Sequence, residues 1–336
     1  MIYVMSDIHG RIDLFNEMLD KINLQEGDKL YILGDSIDRG GGLQVLFKIM
    51  ELHEKGLCEL IWGNHEYIFS ENHMNHLDNS VIADYQKEVL KRTIHNKNNS
   101  YDEMNNKKKP DTLLGSVVQF IGSLKKLSDT LDNNSVIQSY QEKIDKSLAS
   151  TEICHNADEW ETFKDLDNIP LEKRRDLFLF FADHVIPEKY IEIGDKSYLL
   201  LHGGLHENPN TGGTSLYQLF IREGFYMNPV DKSILKSRGY KEDTVVVFGH
   251  TTTRDINIFK NGTYIAPNKI WYDTDNNDKI GVDCGASFPN GQLACLRLDD
   301  MKEFYVRNEQ NIITPMEKIS QIFSEISKKE VSVNDK

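Results

Sequence analysis

The sequence contains few of the features that would place it outside ordinary globular proteins. It has 4 cysteines in 336 residues, and none has C-x-x-C spacing. We therefore expect free thiols in a reducing compartment, not a disulfide framework. No apolar run approaches the roughly 18 residues that a bilayer-spanning helix requires. The apolar start, Ile2–Met5, is too short for the core of a signal peptide. These absences predict a cytoplasmic protein with no membrane partner.

Basic residues are scarce relative to acidic ones. There are 39 Lys and Arg residues against 53 Asp and Glu residues, which gives a formal net charge of −14. A protein with this charge repels the phosphate backbone, so we expect no nucleic-acid partner. A phosphorylated protein or a small phosphoester remains possible as a substrate, because metals and arginines can make one site positive within an acidic protein. The sequence carries no indication of the oligomeric state.

Three apolar segments near the N-terminus each run into a polar loop and then into a helix. The predicted strands are Ile2–Met5, Lys29–Leu33 and Leu57–Trp62. Asp13 is predicted to cap the first helix, which extends to Ile22. This alternation predicts parallel strands with right-handed crossovers. The three polar loops should therefore meet at the carboxyl edge of one sheet, where open α/β sheets bind their ligands.

The chain changes in composition after the third unit. Residues from about 77 to 175 are rich in Asn, Lys, Asp, Glu and Ser. Apolar spacing there predicts helices over 81–94, 113–127 and 136–148, so we interpret this region as a mainly helical insertion. A further helix over Lys173–Phe181 should return to the core.

Strands dominate the remaining third of the chain. A hairpin of Tyr190–Ile193 and Tyr198–Leu201 is predicted to precede a buried strand at Thr244–Phe248. The other predicted strands are Ile256–Phe259, Thr263–Ile265, Ile280–Val282 and Leu293–Leu298. We expect a single catalytic domain over residues 1–310 that includes the insertion. Residues 311–336 should form a polar C-terminal helix or tail.

Polar residues follow five of these strands where each strand ends. They are Asp7 and His9, Asp35 and Asp38, Asn64 and His65, His202, and His250. Carboxylate and imidazole ligands suit Mn, Fe and Zn, and the lack of cysteine argues against a structural zinc site. Asp7 and His9 are two residues apart, so on an extended segment they would point the same way and bind one ion. Asp35 could bridge that ion to a second one.

These segments together resemble the calcineurin-like metallophosphoesterases. Within that superfamily they resemble the phosphoprotein phosphatase (PPP) family and its bacterial serine/threonine phosphatases. The motifs are Asp7-x-His9-Gly10, Gly34-Asp35-x-x-Asp38-Arg39-Gly40, Gly63-Asn64-His65-Glu66, His202-Gly203-Gly204 and Gly249-His250. The resemblance implies an α/β fold in which two sheets form a β-sandwich flanked by helices (αββα), with a centre of two divalent metal ions.

The resemblance also implies a role for each motif residue. The first metal would be held by Asp7, His9 and Asp35. The second would be held by Asp35, Asn64, His202 and His250. A metal-bridging hydroxide would attack in line, and His65, oriented by Asp38, would be the general acid. Arg39 would bind the substrate phosphate. We expect Mn in both metal positions, with Fe or Zn as alternatives.

A second phosphate-binding arginine is expected between His202 and His250. Arg222 is favoured over Arg238, because Phe-Ile-Arg-Glu resembles the Trp-x-Arg segment of bacterial relatives. For Arg238 we instead expect a surface salt bridge. Asp283-Cys284-Gly285-Ala286 also resembles a segment of those relatives that borders the site.

These observations predict a metal-dependent phosphomonoester hydrolase, and more narrowly a protein serine/threonine phosphatase. The alternative within the enzyme class is a nucleotide phosphohydrolase that cleaves dinucleoside polyphosphates or cyclic phosphodiesters. Asp38-Arg39 argues against the diadenosine hydrolases, whose similar motif typically lacks that aspartate. A non-catalytic phosphopeptide-binding module is the third reading, and the complete set of expected ligands argues against it.

Overall fold

The computed structural model describes residues 1–39, 41–75, 162, 165–166, 168–206, 219–221, 225–262 and 268–309. Several predictions lie outside these residues: the insertion helices over 81–94, 113–127 and 136–148, the strand Thr263–Ile265, Arg222 and the tail 311–336. No helix within the described part of the chain is both long and apolar enough to cross a membrane.

The described residues form ten strands and six helices. The strands are β1 Ile2–Met5, β2 Lys29–Ile32, β3 Cys58–Leu60, β4 Lys189–Ile193, β5 Lys196–Leu200, β6 Val245–Phe248, β7 Trp271–Tyr272, β8 Lys279–Gly281, β9 Gln292–Arg297 and β10 Lys302–Arg307. The helices are α1 Ile12–Ile22, α2 Gln44–Glu54, α3 Asn64–Asn75, α4 Leu171–His184, α5 Lys232–Ser237 and α6 Thr253–Asn261.

The strands form two mixed sheets of five strands each. The first has the order β10-β9-β1-β2-β3, and the second has the order β4-β5-β6-β8-β7. β1, β2 and β3 are parallel, as the strand–loop–helix alternation predicts. β5, β6 and β8 are likewise parallel in the second sheet. The carboxyl ends of three parallel strands therefore lie at one edge of each sheet.

The side chains of β1 show how the layers are arranged. Tyr3 and Met5 face α1 and α2 in one hydrophobic cluster, with Phe15 of α1 packed against them. Val4 points the opposite way and packs with Val247 and other residues of the second sheet. This alternation is the period of a strand whose two faces are both buried. The outer face of the second sheet packs against α5 and α6. The predicted αββα sandwich is confirmed.

Two local predictions are wrong. Ile256–Phe259 is part of helix α6, not a strand. A short apolar run does not distinguish the two by periodicity, and the end signals decide it. The Thr252 side chain accepts a hydrogen bond from the Asp255 backbone N–H, and Gly262 ends the helix with φ 65°. Helix α1 begins at Ile12, so Asp13 lies in its first turn and does not cap it.

Candidate metal centre

The loops after β1 and β2 remain joined beyond the ends of the strands. The backbone N–H of Asp7 donates to Gly34 O at 3.1 Å, and that of His9 donates to Asp35 O at 2.9 Å. Gly34 is required here, because a Cβ atom at this position would lie 2.5 Å from the Cα of Gly63. The three loops of the first sheet therefore lie against one another.

The backbone of this edge is strained where the polar residues lie. Six of them have positive φ: Asp7, His9, Asp35, Asp38, Arg39 and His250. Non-glycine residues seldom adopt this conformation, and such strain concentrates at functional sites. The assumption of an extended Asp7–His9 segment is therefore wrong. Their side chains converge because both residues adopt left-handed conformations.

One group of candidate metal-ligand atoms surrounds His9 Nε2. This atom lies 3.8 Å from Asp7 Oδ1 and 3.9 Å from Asp35 Oδ2. The other ring nitrogen, Nδ1, lies 3.2 Å from the carbonyl oxygen of Ile37. A proton on Nδ1 would donate to that carbonyl and leave the Nε2 lone pair facing the carboxylates, as a metal ligand requires.

A second group surrounds His202 Nε2. This atom lies 3.0 Å from Asn64 Oδ1, 3.0 Å from His250 Nδ1 and 3.4 Å from Asp35 Oδ1. His202 Nδ1 lies 2.6 Å from the carbonyl oxygen of Leu33, so that carbonyl orients the ring. The four side chains follow β2, β3, β5 and β6, and Asn64 is the first residue of helix α3.

Asp35 belongs to both groups. Its Oδ2 faces His9 and its Oδ1 faces His202. Two triads of possible ligand atoms therefore share this carboxylate: His9–Asp35–His65 and Asp35–His202–His250. The arrangement fits a residue that bridges two ions.

The electrostatics of the centre also fit cations. Asp7, His9, Asp35 and His202 are all buried. No lysine or arginine of the described residues forms a salt bridge with Asp7 or Asp35. Nitrogen and oxygen donors without sulfur suit Mn, Fe or Zn. The residues present thus fit two divalent ions, and the donor set does not select one metal.

The pKa values of these four residues reflect their burial and their mutual charges. Burial raises the pKa of Asp7 to about 6. Burial lowers the pKa of His9 to about 3, with a contribution from the positive charge of Arg39, so this imidazole is neutral at pH 7. Burial acts to lower the pKa of His202 as well, but the carboxylate of Asp35 outweighs it and raises the value to about 10. In the absence of a metal, a proton on His202 thus compensates part of the negative charge.

His65 and Asp38 form a separate pair beside the ligand atoms. His65 Nδ1 lies 2.6 Å from Asp38 Oδ2, and His65 Nε2 lies 3.8 Å from Asp35 Oδ2. Although burial lowers the pKa of His65, the charges of Asp35 and Asp38 raise it to about 9. In the metal-free centre these charges favour the protonated form of His65, which is partly open to solvent, with 14% of its side chain exposed.

The arginines expected to bind phosphate have different surroundings. Arg39 lies in the loop after β2, with its guanidinium carbon 5.3 Å from the centre of the Phe288 ring. Arg222 lies outside the described residues, so its predicted role stays a prediction. Arg238 forms a salt bridge with Glu188, and its guanidinium lies beside the ring of Tyr240. The reading of Arg238 as a salt-bridge residue agrees with these contacts.

Glu66, which has no predicted role, lies directly behind the centre. Its side chain is fully buried. Oε2 accepts hydrogen bonds from the backbone N–H groups of Asp35 at 2.8 Å and Gly63 at 3.2 Å. Oε1 accepts from the Ser36 N–H at 2.6 Å and from the Ser36 hydroxyl at 2.8 Å. Glu66 thus joins the loops after β2 and β3. The only signal in the sequence is its place in Gly63-Asn64-His65-Glu66.

Asp283 borders the centre, as its resemblance to bacterial relatives implies. Its carboxylate is buried, and Oδ1 accepts a hydrogen bond from Gly285 N at 2.8 Å. Burial and the nearby charge of Asp7 raise the pKa of Asp283 well above its ordinary value. Its backbone oxygen accepts from the N–H of Thr253, the first residue of α6, at 2.8 Å.

Comparison with known proteins supports the superfamily. The sequence model of the calcineurin-like phosphoesterase family matches residues 1–160, just under half of the chain. The matched part contains the first three polar loops, and it supports placing the protein in the calcineurin-like metallophosphoesterase superfamily. A search of curated proteins finds no match.

Solved structures also resemble this one weakly. A protein provisionally described as a diadenosine tetraphosphatase is 12% identical, with a TM-score of 0.42, over 92% of this chain and 94% of that chain. A hypothetical protein from Pyrococcus horikoshii OT3 is 13% identical, with a TM-score of 0.41, over 98% and 94%. A metallophosphoesterase from Sphaerobacter thermophilus is 13% identical, with a TM-score of 0.38, over 92% and 87%. Similarities at this level identify no substrate.

Proposed function

We propose that this protein is a metal-dependent phosphomonoester hydrolase and that its substrates are phosphoserine and phosphothreonine residues of proteins. The observation that carries the proposal is the hydrogen-bonded pair of His65 and Asp38 beside two groups of ligand atoms that share Asp35. Hydrolysis uses a proton donor that a carboxylate orients toward the centre, whereas binding of metal or of a phosphopeptide alone does not require one.

Two divalent ions held by these residues would neutralise charge on the phosphoryl oxygens and lower the pKa of a water molecule that attacks phosphorus. The ligands for them would be Asp7, His9 and Asp35 on one side, and Asp35, Asn64, His202 and His250 on the other. We expect Mn at both positions, as the sequence predicts, with Fe or Zn as alternatives.

The remaining chemistry belongs to residues of the chain itself. Hydrolysis breaks the bond between phosphorus and the oxygen of the leaving group, and that oxygen needs a proton. The carboxylate of Asp38 favours the protonated form of His65, so His65 can donate this proton from Nε2. Asp38 holds the Nδ1–H of the same ring, which fixes the direction of Nε2. Arg39 would bind the phosphoryl oxygens, because a guanidinium presents paired donors to phosphate.

The preference for phosphoproteins over nucleotides depends on Asp38. The diadenosine hydrolases have a motif similar to Gly34-Asp35-x-x-Asp38-Arg39 but typically lack the aspartate that corresponds to Asp38. The alternative substrates are dinucleoside polyphosphates and cyclic phosphodiesters. The test is a substrate panel on the Mn²⁺-loaded protein that contains phosphoserine and phosphothreonine peptides, diadenosine tetraphosphate and a cyclic nucleotide. Highest kcat/KM on the nucleotides would overturn the proposed substrate class.

A His65→Asn variant tests the proposed acid. We expect turnover of an alkyl phosphate to fall by about 10²–10⁴-fold, the usual contribution of general acid catalysis. The loss on p-nitrophenyl phosphate should be smaller, because nitrophenolate leaves readily without a proton. Metal content should stay near two ions per chain. His53→Asn, the same change at a distant imidazole, is the control. Loss of metal from the His65 variant would instead make His65 a ligand.

A further inference from the structure

Phe288 lies beside two arginines that follow strands of different sheets. The guanidinium carbon of Arg39 lies 5.3 Å from the centre of its ring, and that of Arg254 lies 5.6 Å from the same point. Arg39 follows β2 of the first sheet, whereas Arg254 is in the first turn of α6, after β6 of the second sheet. The two guanidinium groups are therefore no further apart than these two distances combined.

The loop that carries Phe288 is held in place on both sides. The side-chain amide of Asn308 donates to Ala286 O at 3.0 Å and to Phe288 O at 3.1 Å. Asp283 Oδ1 accepts from Gly285 N at 2.8 Å. Because these hydrogen bonds fix the backbone around Phe288, contact with its ring limits the positions that the two guanidinium groups can take.

The contacts of Arg254 leave most of its donors available. Its Nε donates to Oδ1 of the adjacent Asp255 at 3.2 Å, and both side chains are more than a third exposed. Such an exposed pair contributes little to stability. No acceptor in the described part of the chain bonds to the terminal nitrogens of Arg254, and no carboxylate there forms a salt bridge with Arg39. Arg11, nearby, differs because it binds both carboxylate oxygens of Asp13.

Arg254 also lies at the rim of the candidate metal centre. It is four residues beyond His250, and the neighbouring Thr253 N–H donates to Asp283 O, which borders the centre. The candidate metal centre beside Arg254 is rich in carboxylates, and the protein as a whole has a net charge of −14. Two arginines that contact one ring, neither with a carboxylate of the described residues on both of its terminal nitrogens, are surroundings that suit a second phosphate.

We propose that Arg254, which shares the Phe288 ring with Arg39, forms a second anion subsite next to the phosphate that Arg39 binds, and that the preferred substrate carries a second phosphoryl group close to the one that is hydrolysed. This inference rests on the proposed phosphomonoesterase function. The second group could belong to a neighbouring phosphorylated residue of a peptide or to the polyphosphate chain of a nucleotide.

The test compares matched substrates with one and two phosphates. We expect the wild-type protein to have a higher kcat/KM on a peptide with two adjacent phosphoserines than on the peptide with one. Arg254→Gln should reduce this ratio about tenfold, mainly through KM, because a charge-assisted hydrogen bond is lost. Arg254→Lys should restore part of it. The control is Arg297→Gln, since Arg297 also stacks on Phe304 and pairs with an aspartate, Asp300, but lies at the opposite end of β1.

The outcomes separate this inference from the proposed function. The subsite would be overturned if Arg254→Gln lowered kcat/KM equally on the singly and the doubly phosphorylated peptide. It would also be overturned if Arg297→Gln lowered the ratio of the two values as much as Arg254→Gln does. If Arg254→Gln lowered kcat/KM on diadenosine tetraphosphate alone, the result would support the subsite and identify its occupant as a polyphosphate chain. If the protein turns over no phosphoester, calorimetry with non-hydrolysable phosphonate peptides tests the subsite alone. Equal binding of the singly and doubly modified peptides would then overturn it.

Discussion

Two acidic clusters in this protein are neutralised in different ways. The lysine-filled cluster consists of Asp273, Asp275, Asp278, Lys260 and Lys279. In it, Lys279 Nζ lies 2.8 Å from Asp273 Oδ2 and 2.6 Å from Asp278 Oδ1, and Lys260 Nζ lies 2.8 Å from Asp275 Oδ2. The site cluster consists of Asp7, Asp35, His9, His202 and His250, and its carboxylates pair with no lysine or arginine of the described residues.

The comparison shows why acidic spacing alone does not identify a metal site. Residues 273–278 read Asp-Thr-Asp-Asn-Asn-Asp, a spacing that would also suit a cation. The buried ammonium of Lys279 lies among those carboxylates instead, and it also donates to the backbone oxygen of Asn228. The site cluster has imidazoles where the other has ammonium groups, and an imidazolium can release its proton to solvent and bind a metal through the freed nitrogen lone pair.

The largest effect that separates the two clusters is expected from Asp35→Ala. This change removes both oxygens that face His9 and His202, so both ion positions lose a ligand. Turnover should fall by more than the roughly 10²–10³-fold that loss of one catalytic hydrogen-bond donor costs. Metal analysis should find fewer than two ions per chain, and circular dichroism should show a folded protein. Retained turnover with Mn²⁺ supplied would contradict the assignment of Asp35.

Lys279→Met tests the other cluster. It removes the buried ammonium group beside the Asp273 carboxylate, so that only Lys260 still pairs with Asp273. Breaking a buried pair in this way costs about 3–5 kcal/mol of unfolding free energy. Metal content and kcat should stay near their wild-type values. Lys196→Met, at an exposed position of β5, should change the unfolding free energy by less than about 0.5 kcal/mol. If Lys279→Met lost metal but kept its stability, the distinction between the clusters would fail.

Glu66→Gln should have an intermediate effect. The amide nitrogen cannot accept the hydrogen bonds that one carboxylate oxygen accepts from the loops after β2 and β3. Residues that orient metal ligands typically contribute 10–100-fold to metal affinity or activity, so we expect Mn²⁺ affinity to fall by about that factor. Titration of metal-free protein with Mn²⁺ provides the measurement. Unchanged affinity would show that Ser36 and Gly63 keep their positions without the carboxylate.

The smallest effect is a difference in pH dependence. The folded pKa of His202 is raised from 6.5 to about 10, so its contribution to the stability of metal-free protein is complete below pH 6.5 and is lost as pH rises. His65, raised to about 9, acts in the same direction. The hydrogen bond from Lys279 outweighs burial and lowers the pKa of Asp273, so the stability that this carboxylate contributes is lost only as pH falls below about 3.8.

Urea unfolding with and without Mn²⁺ tests this difference. Between pH 6.5 and 9 the unfolding free energy of metal-free protein should decrease, and saturating Mn²⁺ should reduce that slope because a ligating imidazole carries no proton on the bound nitrogen. Lys279→Met should leave this slope unchanged. An identical slope with and without Mn²⁺ would argue against His202 as a ligand.

The sequence by itself determined the parallel strand–loop–helix units and the residues at their ends. Asp35, Asn64 and His202 stand next to glycines at strand ends, and the parallel pairing of the strands places those ends at common edges. The αββα layers were implied by the resemblance of the motifs to the calcineurin-like metallophosphoesterases, whereas the alternation by itself predicted parallel strands with helices between them. The failures were local: at Ile256–Phe259 end signals outweighed a short apolar run.

Only the tertiary structure decided which atoms meet. It directs the two oxygens of Asp35 to different groups of ligands and places Glu66 behind the loops after β2 and β3. It also brings Arg254 to Phe288, 34 positions further along the chain, and fills the acidic segment at 273–278 with Lys279. Such contacts depend on how two sheets pack and on left-handed backbone at six site residues. Neither property has a period that can be read along a chain.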